Sequence, residues 1–294
     1  MIGLKRGSVR ILPYDAGWAD RGVYYCESLK KALGEYVIAV EHVGSTSVPG
    51  LSAKPIIDIA VAVESFRDEI IARIENAGYI HRPDGDNAGQ LLFVDGKDEW
   101  RMAHIHVVRH MSMEWRNYIN FREYLKAFPE QKAAYMALKI SLAEQYPNDR
   151  EQYTSAKADF ITFTLRKAMV WSYLGQEIEA RVDRPIGYLH TKGNKTLHYP
   201  INYGYIPGVL GGDDEELDVY YLGADQPLEN FAGRVIAIVH RADDVEDKLV
   251  ACPVGESYSA QEICKAIYFQ EKYYNTTIQT LDGQWMHISE EQMS

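Results

Sequence analysis

The residues best suited to chemistry lie in two acidic blocks in the last third of the chain. An aromatic, apolar run starting at Tyr199 passes through Gly211 and Gly212 into Asp213, Asp214, Glu215, Glu216 and Asp218. Carboxylates this dense repel one another. They suit a solvated turn, or a cage for a hard cation such as Mg²⁺ or Ca²⁺ that takes oxygen ligands. A second block, Asp243, Asp244, Glu246 and Asp247, runs directly into Lys248. Two acidic blocks beside a lysine able to grip phosphate point to metal-assisted hydrolysis of a phosphoanhydride. A single block would read as a solvated hairpin turn. Two blocks with a tyrosine-rich run and a lysine are independent cues that agree.

A second set of residues lies near the N-terminus. Gly44-Ser45-Thr46-Ser47-Val48-Pro49-Gly50 is a loop of small residues whose backbone N–H groups can face an anion. Lys54 and Asp58 follow, with Asp58 on an apolar strand. His104 and His106 share one face of a later strand, which permits a metal site; two satisfied polar residues beside a cleft is an equally open reading.

The elements that must position these groups follow from hydrophobic period and turn residues. A short strand is expected over Val9–Leu12, then an amphipathic helix through Trp18, Val23, Leu29 and Leu33 that Gly34 ends. Strands are expected over Tyr36–Val43, Ile56–Val63, Gln90–Val94 and Ala103–Val108, with a helix from Glu64 to Ala77. From Ser112 to Ser172 the pattern is helical, interrupted at Pro129 and Pro147. Asp149 is a candidate N-cap for a last helix, through Tyr153, Phe160 and Leu165, that reads as packing. After Gln176 short strands alternate with turn residues: Ile178–Val182, Tyr203–Ile206, Leu217–Leu222, Arg234–Arg241 and Lys248–Cys252. That spacing suits a small antiparallel barrel, closed by a helix over Ser259–Tyr274.

The 294 residues suffice for two domains. Residues 1–172 hold 22 Lys+Arg and 22 Asp+Glu, whereas residues 173–294 hold 9 and 20, so the second part carries the whole net charge of −11. We therefore expect domains over 1–172 and 173–294. Such a field disfavours nucleic acid, and it disfavours phosphates unless cations bind first. No apolar run reaches membrane length, and no secretory signal pattern opens the chain. Three scattered cysteines, Cys26, Cys252 and Cys264, make no disulfide framework. A cytoplasmic protein without membrane or nucleic-acid partners is the expectation, and a homo-oligomer is compatible with it.

The segment from His42 to Leu51 and Lys54-Pro55-Ile56-Ile57-Asp58, with His104-Ile105-His106 and Phe121 to Leu125, resembles the GrpB-like family over about residues 5–170. The Gly44-Ser45 pair followed by Asp58 also resembles the nucleotidyltransferase pattern, which implies an α/β (α+β) fold. It also implies a nucleotide or phosphate held by Gly44, Ser45, Lys54 and Asp58. That pattern places a second carboxylate two residues after the first, where this chain has Ala60. Another ligand would have to come from His104, His106 or Glu41.

Tyr199 to Pro207, the block Asp213 to Asp218, and Asp243 to Pro253 resemble family I inorganic pyrophosphatases over about Arg181 to Tyr274. The resemblance implies Mg²⁺ ligation by Asp213, Glu215, Asp218, Asp243, Asp244 and Glu246. It implies catalytic roles for Glu215 as base and for Lys248, Arg184, Tyr203 and Tyr273 around the diphosphate. Here Glu215 stands where the family has an aspartate, and Tyr274 where it has a lysine. The strand pair that usually supplies a lysine and an arginine reads as shortened, leaving Arg184, Lys192 and Lys195 as cations. The expected function is Mg²⁺-dependent hydrolysis of inorganic diphosphate by the second domain. A metal-binding relative without turnover, or a hydrolase of another diphosphate compound, remains open.

Overall fold

The computed structural model describes residues 2–97, 99–193, 195–211, 215–244 and 246–290. The expected ligand Asp213, with Asp214, lies outside them. By contacts the chain divides into two units, Met1–Leu165 and Arg166–Ser294.

The first unit is built on a mixed five-stranded sheet. Its strands are β1 (Ala39–Val43), β2 (Ile57–Val63), β3 (Ile80–His81), β4 (Gln90–Asp95) and β5 (Ala103–Arg109), in the spatial order β1-β2-β5-β4-β3. Only β2 and β5 pair in parallel. Strand alternation sorts the faces of β2. Ile57, Ile59, Val61 and Val63 pack with Trp18, Leu29 and Leu33 of helix α1 (Gly17–Leu33) and with Ile70 and Ile74 of α2 (Asp68–Asn76). Asp58, Ala60 and Ala62 turn the other way, and the two alanines meet Val43, Val108 and Trp115 of α3 (Met113–Ala127). Register puts Asp58 beside His104, and Ala60 beside His106, on that second face. Helices α4 (Pro129–Gln145), α5 (Arg150–Ser155) and α6 (Ala158–Ser172) follow.

Several expected elements shift. Val9–Leu12 forms no strand: Val9 donates to Pro147, and Leu12 makes a single bridge with Ala53, so its backbone partners lie outside the sheet. The strand expected from Tyr36 starts at Ala39, because Gly34–Tyr36 winds into a short 3₁₀ turn. The helix expected from Glu64 starts at Asp68. The last helix of this region is two helices, broken at Ala156 and Lys157, with Asp149 capping the first through Gln152.

In the second unit five strands close a barrel: β6 (Glu177–Arg184), β9 (Asn202–Leu210), β10 (Glu216–Tyr221), β12 (Lys248–Cys252) and β11 (Asn230–Arg241), which returns to β6. One pairing is parallel, β10 with β12, where the expectation was antiparallel throughout. A hairpin of β7 (Leu189–Lys192) and β8 (Lys195–His198) lies between β6 and β9 in the sequence, and β13 (Thr276–Thr280) and β14 (Trp285–His287) extend the sheet from β11. Helix α7 (Ala260–Glu271) starts with a capping box of Ser259 and Glu262. Leu217, Val219, Leu249 and Ala251 fill one apolar cluster. Tyr220, Val250 and Cys252 fill the other, with Ile263 and Ile267 of α7. By alternation Asp218 and Lys248 belong to the strand face that α7 covers.

Candidate functional site

Adjacent strands of the barrel bring Asp218 and Lys248 together. The Lys248 ammonium, almost fully buried, makes short ion pairs with both Asp218 and Glu246. The Tyr203 hydroxyl donates to Asp218 as well. Arg184, paired with Tyr203 across β6 and β9, lies 5.0 Å from the Tyr203 ring centroid and donates to the Tyr199 hydroxyl at 2.7 Å. Burial pushes the Glu246 carboxyl up, the Asp218 charge adds to that, and Lys248 only partly offsets it. Burial also opposes the charge on Asp218, but Lys248 and its hydrogen bonds hold that carboxyl below the ordinary range. Two carboxylates thus share one cation, one of them biased towards its neutral form.

Of the other expected ligands, Asp244 borders this cluster: it accepts the Glu246 backbone N–H at 3.4 Å, and its partner Arg241 lies 4.0 Å from Glu246. Asp243 accepts the backbone N–H of Asn275 at 3.0 and 3.1 Å, and Asp244 pairs with Arg241 at 3.1 Å. Glu215 is exposed, and Tyr273 is 59% exposed. Tyr274 carries Arg241 over its ring at 3.7 Å. Sequence reasoning missed the buried network behind them, in which Glu271 pairs with Arg241 at 2.7 Å and accepts from Tyr220 and Thr276. A glutamate in the last turn of an otherwise apolar helix face was the available signal.

In the first unit all four expected ligand-binding residues, Gly44, Ser45, Lys54 and Asp58, line one cavity of about 250 Å³. Gly44 has φ +69°, and a Cβ there would stand 2.5 Å from Asp58 Oδ2, so only glycine lets the turn meet the carboxylate. Around the same cavity are His104, Tyr135, Lys139, Arg150, Tyr153 and Lys157. Lys139 donates to Ser45 Oγ at 3.0 Å and to the Ser52 carbonyl at 2.6 Å. Burial lowers Lys139 to about 7, and Lys54 and Lys157 to about 8 each, with positive neighbours adding to the shift of all three. Tyr153, expected as packing, thus lines the cavity, and so does Lys157, which the sequence did not single out.

Asp58 Oδ1 lies 3.1 Å from His104 Nδ1 and 3.8 Å from His106 Nε2. Among the described residues this is the one group of three or more His, Cys, Asp or Glu side chains whose ligand atoms all lie within 4.8 Å of one another. The acidic blocks of the second unit make no such group among the described residues. Burial opposes the Asp58 charge, but His104 and His106 hold it below the ordinary carboxylate range. Lys139 was legible only as a lysine on the buried face of α4, between Tyr135 and Leu142.

Comparison with known proteins places each half. The Glutamate-rich protein GrpB of Alkalihalophilus pseudofirmus is 36% identical over 167 residues, covering 55% of this chain and 96% of that protein. The crystal structure of the conserved protein GrpB from Enterococcus faecalis matches with TM-score 0.51 and 31% identity, covering 54% of this chain and 96% of that one. The inorganic pyrophosphatase from Ehrlichia chaffeensis matches at 16% identity and TM-score 0.29, covering 39% of this chain and 88% of that one. The family model described as inorganic pyrophosphatase matches residues 175–287. The model described as GrpB protein matches residues 8–167, more than half of the chain. The chain therefore belongs to the GrpB family, with an inorganic pyrophosphatase domain, a closed five-stranded barrel with a C-terminal helix, following its GrpB domain.

Proposed function

We propose that the second domain hydrolyses inorganic diphosphate, or a closely related small phosphoanhydride, in a reaction that depends on Mg²⁺. The observation that carries this reading is the Lys248 ammonium between Asp218 and Glu246, with Tyr203 and Arg184 alongside. A buried positive charge shared by two carboxylates marks a place whose donors suit a cation, and their all-oxygen chemistry fits a hard one. Asp218 and Glu246 would hold it, with Asp213, Glu215, Asp243 and Asp244 as the further proposed ligands. When bound, a divalent ion of this kind neutralises the diphosphate and makes a water easier to deprotonate.

The chain's own residues then supply binding and charge. Arg184 grips phosphate oxygens with a planar, two-pronged donor set, and Lys248 adds a point charge. Once it is engaged by phosphate, the Lys248 ammonium leaves Asp218 and Glu246 available to the ion. Tyr203 orients Asp218 through its hydroxyl. Glu215 is the proposed proton acceptor and Tyr273 a phosphate contact from the rim. We place the protein in the cytoplasm, where its three free cysteines stay reduced. In the first domain, Gly44, Ser45, Lys54 and Asp58 are the proposed contacts to a nucleotide or other phosphate-bearing ligand.

A second reading has its own support. Asp243 and Asp244 are engaged by Asn275 and Arg241, which fits a relative that binds metal without turnover. Phosphate release from diphosphate, tripolyphosphate and nucleoside triphosphates, measured with and without Mg²⁺, separates these readings. Mg²⁺-dependent release from diphosphate supports the first. Metal binding with no release from any of them supports the second.

A further inference from the structure

The proposed ligand sets of the two domains differ in chemistry. The proposed barrel ligands are all carboxylates, whereas the first domain gathers two imidazoles and one carboxylate. We propose that Asp58, His104 and His106 bind a divalent transition-metal ion of the Zn²⁺, Co²⁺ or Mn²⁺ class, facing a cationic cavity that holds the phosphate group of a small ligand. The phosphate half of this inference rests on the proposed phosphate-binding role of the Gly44-Ser45 loop; the metal half stands without it.

Geometry carries the metal half. In a tetrahedral site with bonds of about 2.0 to 2.2 Å, neighbouring ligand atoms stand about 3.4 Å apart. Asp58 Oδ1 to His104 Nδ1 is 3.1 Å and Asp58 Oδ1 to His106 Nε2 is 3.8 Å, on either side of that figure. A separation of 3.8 Å is too long for a hydrogen bond, so His106 Nε2 faces the carboxylate with room for an ion between them. His106 Nδ1 is buried and without a hydrogen-bond partner among the described residues, so no neighbour there fixes the tautomer against a lone pair on Nε2. Three strand residues in fixed register, Asp58, His104 and His106, need little rearrangement to ligate. Imidazole with carboxylate suits Zn²⁺, Co²⁺ or Mn²⁺ better than Mg²⁺.

The cavity carries the anion half. Asp58 and His104 form part of its wall, so an open coordination position on the ion would face into it. Lys54, Lys139, Lys157 and Arg150 line the same space against the single carboxylate of Asp58. Lys139 and Lys157 are buried and Lys54 half-buried, and cations crowded together in this way cost free energy that a bound polyanion recovers. About 250 Å³ is below the usual 300 to 1,000 Å³ of a cavity that swallows a whole drug-sized ligand. It fits a di- or triphosphate group, with any organic remainder outside.

The test uses the full chain freed of metal by a chelator. Co²⁺ is titrated in and read by its visible absorption, with paramagnetic proton NMR for exchangeable imidazole N–H signals. One tight site per chain, with signals from two imidazoles, is the expected result. His104→Gln and His106→Gln each weaken that site at least tenfold, while Asp218→Asn leaves it unchanged. Tripolyphosphate then binds the Co²⁺-loaded chain at least tenfold more weakly in Lys139→Met, with Co²⁺ affinity intact. Wild-type chain that binds Co²⁺ without imidazole signals, or histidine variants that bind it normally, would overturn the metal site. Normal Co²⁺ binding with tripolyphosphate affinity unchanged in Lys139→Met would overturn the phosphate half alone.

Discussion

With Lys248 buried and its ammonium shared by Asp218 and Glu246, replacing it with Met leaves two carboxylates facing each other, held only by the Tyr203 hydroxyl on Asp218 and by Arg241, 4.0 Å from Glu246. Loss of one partner from a buried ionic cluster is strongly destabilising, and here about 3 kcal/mol is expected because Asp218 still reaches solvent. Chemical denaturation of Lys248→Met without metal measures it, and added Mg²⁺ should recover part of the loss. A variant as stable as wild type would mean that the ammonium is not holding those carboxylates. Gly44→Ala tests the other site. The positive φ and the 2.5 Å approach to Asp58 together predict a loss of about 2 kcal/mol and weakened Co²⁺ binding, both read on the purified variant. Residue types pointed to both candidate sites, since carboxylate density and a glycine-serine turn are visible in a linear chain. What a linear chain hides is partner choice. Asp243 sits two residues from Val245 and three from Glu246, yet it bonds to Asn275, which lies thirty-two positions further on.

At the scale of elements, the strands Ile57 to Val63, Ala103 to Arg109 and Lys248 to Cys252 were legible almost to the residue, because each is rich in β-branched and other apolar residues, with its few polar side chains set among them. The parallel pairing of β10 with β12 was invisible, because alternation fixes faces and carries no strand direction. The break between α5 and α6 was missed for a related reason: Tyr153 and Phe160 each continue an apolar face across it. That break leaves Lys157 beside the cavity with its ammonium 4.3 Å from the Tyr153 ring centroid. A pH dependence follows for the N-terminal domain. Lys139 at about 7 and Lys54 and Lys157 at about 8 lie below the ordinary 10.5, so between those values the unfolded chain binds protons that the folded one does not. Their contribution to stability therefore rises with pH from about 7 to 10.5, and the penalty is fully present below 7. Lys139→Met should flatten that rise in denaturation curves of the metal-free chain; an unchanged slope would contradict the shifts. At the start of α7, Ser259→Ala removes the capping box and should cost about 1 kcal/mol.

Across the whole molecule, charge is divided between the two parts as the proposed chemistry requires. The acidic excess lies in the C-terminal part, where the proposed chemistry needs cations to approach a diphosphate, and the cationic cavity lies in the balanced N-terminal part. The end of α6 belongs to the barrel's core, since Val170 is buried with Ile178, Leu217 and Phe231. Val170→Ala should lower the unfolding transition of the second unit by about 2 kcal/mol and leave that of the first unchanged. Among the described residues no helix is long and apolar enough to cross a membrane. The most direct measurement of the central claim is phosphate release from inorganic diphosphate by the intact chain with Mg²⁺, wild type against Asp218→Asn. We expect steady release by the wild type and a fall of roughly 100-fold or more in the variant. Equal rates in the two proteins, or no release by a wild-type chain that binds Mg²⁺, would contradict it.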